Sequence, residues 1–152
     1  MSNQTVIQLL KEAYTAELET TINYLSHGVR LETFDGHDIA EELLQDVTTE
    51  QNHAQRLGER LKILDSEPPT SFDVSEYFTQ ASLNSIEDAT DVESVITGVI
   101  EAEKSAIQTY RELIEEARDA NDYATARLAE ELLQDEEKHL QEFKEVHAEF
   151  SD

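Results

Sequence analysis

Apolar residues recur at steps of three and four along four long segments of this chain, the spacing of one face of an α-helix. From Thr5 to Phe34 that face reads Ile7, Leu10, Tyr14, Glu17, Thr21, Tyr24 and Gly28. Over residues 38–65 it reads Leu43, Asp46 or Val47, Glu50, His53 or Ala54, Leu57, Leu61 and Leu64. Over 91–119 it carries Val92, Val95, Val99, Glu103, Ala106, Tyr110, Leu113 and Ala117, and over 122–150 Thr125, Ala129, Leu132, Glu136, His139, Phe143, Val146 and Phe150. The pattern predicts an all-α protein built as a four-helix bundle, with residues 1–152 forming one domain.

End signals place the boundaries. Asp38 with Glu41 is expected to cap the second helix as a capping box, and Pro68-Pro69 to stop it. Asp91 is expected to cap the third helix and Asn121 or Asp122 the fourth. Between them, residues 66–90 are mostly polar, with one apolar knot at Phe72, Val74, Tyr77 and Phe78 that is expected to form a short helix capped by Asp73 and to pack across the bundle. Short turns make helices 1 and 2 antiparallel, and likewise 3 and 4. A helix of about 28 residues is roughly 42 Å long, and 25 extended residues reach about 80 Å. The 66–90 crossover can therefore run the length of the bundle and leave helices 2 and 3 parallel.

All four apolar faces are interrupted near their middle by glutamate. Glu103 falls between Val99, Ala106 and Tyr110, whereas Glu101 falls on the outer face with Gly98, Lys104 and Gln108. An ionised carboxylate facing a core is rarely tolerated unless it is paired or bound to a metal, and no Lys or Arg falls on these inner faces. In two helices the glutamate is followed three residues later by histidine, which projects from nearly the same face. With 24 Glu and 5 His in 152 residues, one such pair is expected by composition alone, so the register carries the argument. Glu17, Glu50, His53, Glu103, Glu136 and His139 together form four carboxylates and two imidazoles, the ligand set of a carboxylate-bridged two-metal site. That set suits iron or manganese better than zinc, which prefers fewer ligands with more nitrogen or sulfur. Tyr24 and Tyr110 read as core packing whose hydroxyls are also available to hold ligand carboxylates. His27, His37 and His147 have no Glu three residues earlier and read as surface residues.

Composition narrows the partners. A net charge of −24 repels nucleic-acid backbones and anionic membranes. It matches both a solvated acidic surface of the halophilic kind and steering of cations toward a metal site. Without cysteine there is no disulfide, no Cys-ligated zinc and no iron–sulfur cluster. With no 18-residue apolar run and no basic-then-apolar leader, a soluble cytoplasmic protein is expected.

The chain resembles the ferritin-like diiron superfamily, and within it the bacterioferritins. Glu17-Leu18 followed by Ile22-Asn23-Tyr24 and His27 is similar to their first-helix motif. Glu50-x-x-His53-Ala54-x-Arg56-x-x-Glu59-Arg60-x-x-x-Leu64 is similar to the second. Glu103 and Asp135-Glu136-Glu137-x-His139 match the third and fourth. The resemblance implies that Glu50 and Glu136 bridge two irons, with Glu17 and His53 completing one and Glu103 and His139 the other. It further implies a ferroxidase that oxidises Fe(II) with dioxygen or hydrogen peroxide and stores the product inside a hollow homo-oligomeric shell. Two iron ions per chain are expected, with manganese or zinc as substitutes. Haem is not, because Gln51 stands where the family has its haem-binding Met. The crossover is longer than in the family and the chain ends soon after His139, without a fifth helix, so shells of 24, 12 or fewer subunits stay open. A rubrerythrin-like diiron peroxidase is the alternative; it would carry a further Glu one turn after the third-helix ligand, where Ala106 stands. A third reading is a metal-free helical interaction or structural protein, which an outward-facing Glu17 or Glu103 would support.

Overall fold

The computed structural model describes residues 2–31, 35–74, 78–84, 86–88 and 90–151. Four long helices carry the architecture: α1 (Ser2–Arg30), α2 (His37–Ile63), α5 (Val92–Asp119) and α6 (Tyr123–Ser151), with two single turns, α3 (Ser71–Val74) and α4 (Ala81–Asn84), in the crossover. α1 pairs with α2 and α5 with α6, and α1 also lies against α5.

The core divides into two apolar clusters, and their membership fixes the topology. One joins Val6 and Leu10 of α1, Leu57 and Leu61 of α2, Leu113 and Ala117 of α5, and Ala129 and Leu132 of α6. The other joins Tyr24, Leu43, Val95, Val99 and Phe143. The start of α1 and the end of α2 therefore share one end of the bundle with the end of α5 and the start of α6. Helices α2 and α5 run parallel, as the long crossover allows. The six inward Glu and His residues sit in the layer between the two clusters.

The turns are built by residues that tolerate left-handed backbone. Asp65 (φ 57°) and Asn121 (φ 59°) follow α2 and α5, and the N–H groups of Ser66 and Asp122 reach back to the carbonyls of Leu61 and Ala117, closing both helices. Asp122 then caps α6, accepting from Thr125 N–H at 3.1 Å, while Arg60 at the end of α2 binds the same carboxylate at 2.7 Å. Replacing Asp122 with alanine removes a cap and an interhelical ion pair together. The expected loss is about 1–2 kcal/mol, read as a lower urea midpoint at unchanged slope. Asp91 caps α5 through Ser94 N–H at 3.0 Å.

Several local expectations are corrected. The first helix ends at Arg30, and residues 32–34 lie outside the described residues. Gly36 occupies the N-cap of α2 without a side-chain cap; Asp38 sits inside the first turn instead, where its charge opposes the helix dipole. Asp73 lies within α3 and does not cap it. Phe72 is exposed while Val74 is buried, and Tyr77 lies outside the described residues. Gly98, assigned to the outer face, is covered by α4: a Cβ there would meet Leu83 Cδ2 at 2.8 Å. His27 is buried, 3% exposed, because its Nε2 lies 2.9 Å from the carbonyl of Leu83 on the same α4 turn. A helix face that looked solvated in sequence is covered by the crossover.

Candidate metal centre

The six residues meet in one buried layer, none more than 6% exposed. Their donor atoms form two overlapping groups, Glu17, Glu50, His53 and Glu136 in one, and Glu50, Glu103, Glu136 and His139 in the other. Within each group the candidate atoms all lie within 4.8 Å of one another. Glu50 and Glu136, the two glutamates of the Glu-x-x-His pairs, belong to both.

The geometry is nearly two-fold. His53 turns Nδ1 inward, 2.8 Å from Glu136, 3.5 Å from Glu17 and 3.5 Å from Glu50. His139 does the same, 3.1 Å from Glu50, 3.4 Å from Glu136 and 3.9 Å from Glu103. The two rings stack at 6.4 Å. On the outer sides the tyrosines complete the pattern: Tyr24 donates to Glu103 and Tyr110 donates to Glu17. Each of the two unshared carboxylates is thus held by a phenol from the helix opposite it, which goes beyond core packing.

The crowding of negative groups displaces their protonation. Burial, and then the charge of Glu50, pushes Glu17 up from 4.5 to about 8. Burial and the charge of Glu136 hold Glu103 well above the usual carboxylate range. For Glu50 burial acts in the same direction, but contacts with Glu17, His139 and His53 outweigh it and hold it below the usual range. Burial opposes the charge on both imidazoles, yet Glu136 and its neighbours raise His53 far up and push His139 up to about 11. Without a metal, protons supply the counter-charge.

The donor set also passes a direct test of fit to cations. Both oxygens of Glu50, Oε2 of Glu103 and Nδ1 of His139 are buried without a well-aligned hydrogen bond, although His139 Nδ1 and Glu50 lie 3.1 Å apart; Thr15 Oγ1, His27 Nδ1 and Asp46 Oδ2 share that condition outside the two groups. In folded proteins the large majority of buried polar atoms have a partner. The atoms of Glu50, Glu103 and His139 lie within the two groups, where a divalent cation would satisfy several at once.

Two carboxylates absent from the sequence reading of the site stand behind the imidazoles. Asp135 lies 3.0 Å from His53 Nε2. Asp46 lies 3.9 Å from His139 Nε2, with its carboxyl raised from 3.8 to about 6, first by burial. A carboxylate on the outer nitrogen fixes which nitrogen faces inward. The positions of Asp46 one turn before Glu50 and of Asp135 beside Glu136 were the available signals. A cavity of about 300 Å³ opens between α1 and α5 onto Glu17, Glu50, Glu103 and Glu136, on the side away from the histidines, with Ala106 in its wall.

A family model described as a ferritin-like domain matches residues 7–151. A bacterioferritin from Desulfovibrio desulfuricans is 25% identical over 141 residues, covering 93% of this chain and 73% of its own length. Its structure, solved with the diiron site in different catalytic states, aligns at a TM-score of 0.81 and 22% identity over 99% of this chain and 82% of that one. A ferritin-like, diiron-carboxylate protein from Bacillus anthracis aligns at 0.83 and 20% identity over 97% and 98%. A Rhodobacter capsulatus bacterioferritin, with a metal-free dinuclear site and haem iron, aligns at 0.80 and 19% identity over 97% and 86%.

Proposed function

Since the chain belongs to the ferritin-like domain family, we propose that it is a ferroxidase that takes up Fe(II), oxidises it at the dinuclear site and stores or detoxifies the product. The observation that carries this reading is the pair of shared glutamates whose neighbourhood leaves buried oxygens unsatisfied. Glu50 and Glu136 would hold both ions, Glu17 and His53 one of them, and Glu103 and His139 the other. Two Fe(II) supply two electrons, which with two protons convert dioxygen to hydrogen peroxide, or hydrogen peroxide to two waters.

The protein's part is to bind, orient and manage protons. Four carboxylates balance the charge of two divalent cations. Tyr24 and Tyr110 keep Glu103 and Glu17 aimed inward, and Asp135 fixes the His53 tautomer. Protons held in the layer before loading leave when the ions bind.

A homo-oligomer fits the surface. Ile22, Leu25 and Val29 of α1 and Leu44 of α2 are exposed. The exposed α2 positions between Leu44 and Gln55, including Gln45, Thr48, Gln51 and Asn52, are uncharged. In a chain of net charge −24, this is a face on which copies meet with little repulsion. Gln51 offers no thioether, so the proposed assembly carries no haem. Residues 1–152 are read as one domain working in the cytoplasm, and no described helix is long and apolar enough to cross a membrane.

Iron retained per chain after aerobic Fe(II) loading at high salt and desalting tests the reading. Many more than the roughly two ions of one dinuclear site are expected, as a mineral core. A plateau near two would overturn storage and favour a diiron peroxidase, although Ala106 leaves that alternative without its additional ligand.

A further inference from the structure

Phe72 is 88% exposed, more than any other large apolar side chain among the described residues. It sits on α3, a single turn closed by the N–H groups of Asp73 and Val74 on the carbonyl of Thr70, at 2.9 and 3.0 Å. Val74 of that turn is buried, so the turn is seated through one apolar side chain and holds the other out. The chain is fastened on either side of it. Pro68 lies against Gly58 of α2, where a Cβ would meet its Cγ at 3.6 Å. Thr79 donates its N–H at 2.9 Å to Glu19, a buried carboxylate of α1. Asp73, next to Phe72, is exposed as well. A lone exposed apolar residue is ordinary, but a ring held out on a fastened turn beside a carboxylate is a shaped knob.

A matching recess lies on the other helix pair. Ile107 of α5 and Leu140 of α6 line a groove of about 440 Å³ together with Lys104, Arg111, Glu137 and Lys144. Ile107 is buried and Leu140 half-buried, whereas the four charged side chains are exposed. The floor is therefore apolar and the rim charged. Three cations stand there against one carboxylate, in a chain with 11 Lys and Arg against 35 Asp and Glu. Elsewhere Arg56, Arg60, Lys62 and Arg118 each bind a carboxylate closely. Arg111 comes only within 3.8 Å of Glu137, with both side chains more than half exposed, a pair worth little. Lys104 and Lys144 form no ion pair among the described residues.

Resting on the homo-oligomeric reading, we propose that Phe72 and Asp73 of one copy dock in the α5–α6 groove of a second copy. The ring covers Ile107 and Leu140, and the carboxylate enters among Lys104, Arg111 and Lys144. The fastenings at Gly58 and Glu19 keep the knob with its own α1 and α2, so knob and groove meet only between copies. An aromatic anchor in an apolar recess with a polar rim is the usual make-up of a strong contact. Opposite local charges select this orientation among copies that otherwise repel at a net charge of −24. A small anion would use the cations and leave the floor bare, whereas a second copy supplies both halves. Knob and groove are different surfaces, so the contact is heterologous and propagates until a ring closes. The uncharged α1–α2 face pairs copies two by two. The two contacts together carry assembly beyond a dimer.

Sedimentation velocity at one protein and one salt concentration tests the contact. The wild-type chain is expected to sediment as an assembly larger than a dimer. Phe72→Ser alters an exposed ring, and Lys104→Glu with Lys144→Glu breaks no ion pair, so both variants keep the fold. Each is expected to fall to a dimer while still binding two Mn(II) per chain. Asp73→Lys is expected to do the same alone, and to restore assemblies larger than a dimer when combined with Lys104→Glu and Lys144→Glu. Wild-type size in either the Phe72 or the groove variant overturns the contact and leaves the groove to an acidic partner other than this chain. A combined variant that stays dimeric overturns the pairing of Asp73 with these cations. A dimeric wild type overturns the knob-and-groove contact and keeps the α1–α2 face, and a monomeric wild type overturns the homo-oligomeric reading itself.

Discussion

Replacing either Glu50 or Glu136 with alanine is expected to lower the initial rate of Fe(II) oxidation by about a hundredfold or more. Each of these residues belongs to both donor groups, so one substitution takes a ligand from both cations. Losing a group that merely supports a metal ligand commonly costs about 10–100-fold, and losing a shared ligand should exceed that. Glu17→Ala and Glu103→Ala provide the contrast. Each removes a carboxylate from one group only and leaves four donors in the other, so their expected defect is smaller, with one ion bound more weakly than its neighbour. Stopped-flow absorbance of the ferric product, at fixed pH and two Fe(II) per chain, separates the cases. Wild-type initial rates in both Glu50→Ala and Glu136→Ala would rule out the shared-ligand arrangement.

Loading the site is expected to expel at least two protons per chain near neutral pH, so the combined affinity for two divalent cations should rise at least about a hundredfold per pH unit. Glu17, raised to about 8, and His139, raised to about 11, are both protonated at pH 7 in the metal-free chain, and His53 is raised in the same direction. All three must lose a proton to serve as ligands. The same shifts set the stability of the metal-free protein. Between 4.5 and about 8 the folded chain keeps a proton on Glu17 that the unfolded chain has released, so stability falls as pH rises through that window. The stabilisation from charged His139 is complete below its ordinary 6.5 and is lost as pH climbs toward 11. Both act in one direction above neutrality, and bound cations should reverse the trend by replacing the protons. Calorimetric titration with Mn(II) in buffers of different ionisation heat counts the protons. Affinity that does not change between pH 6 and 8 would contradict the proposed protonation of the layer.

The long-range plan of the molecule could be read from spacing because helical periodicity and ligand register are local properties. Steps of three and four aligned Glu17, Glu50, Glu103 and Glu136, and folding brought them together with His53 and His139. The length of the crossover allowed α2 and α5 to run parallel, and the membership of the two apolar clusters shows that they do. What escaped the reading depended on the crossover, whose polar sequence has no period. His27 looked solvated until α4 covered it, and Gly98 looked external until Leu83 settled on it. Glu19 shows no distinguishing pattern on α1, since its partners are backbone N–H groups sixty residues away. Asp46 was visible on the inner face, but its place behind His139 required the helices to be assembled.

In the proposed site two cations share Glu50 and Glu136. Anomalous diffraction from crystals soaked anaerobically in Fe(II) tests it most directly. Two iron peaks about 3.5–4 Å apart, one beside Glu17 and His53 and the other beside Glu103 and His139, are the expected result. A single peak, or iron bound only outside this layer, would contradict the account.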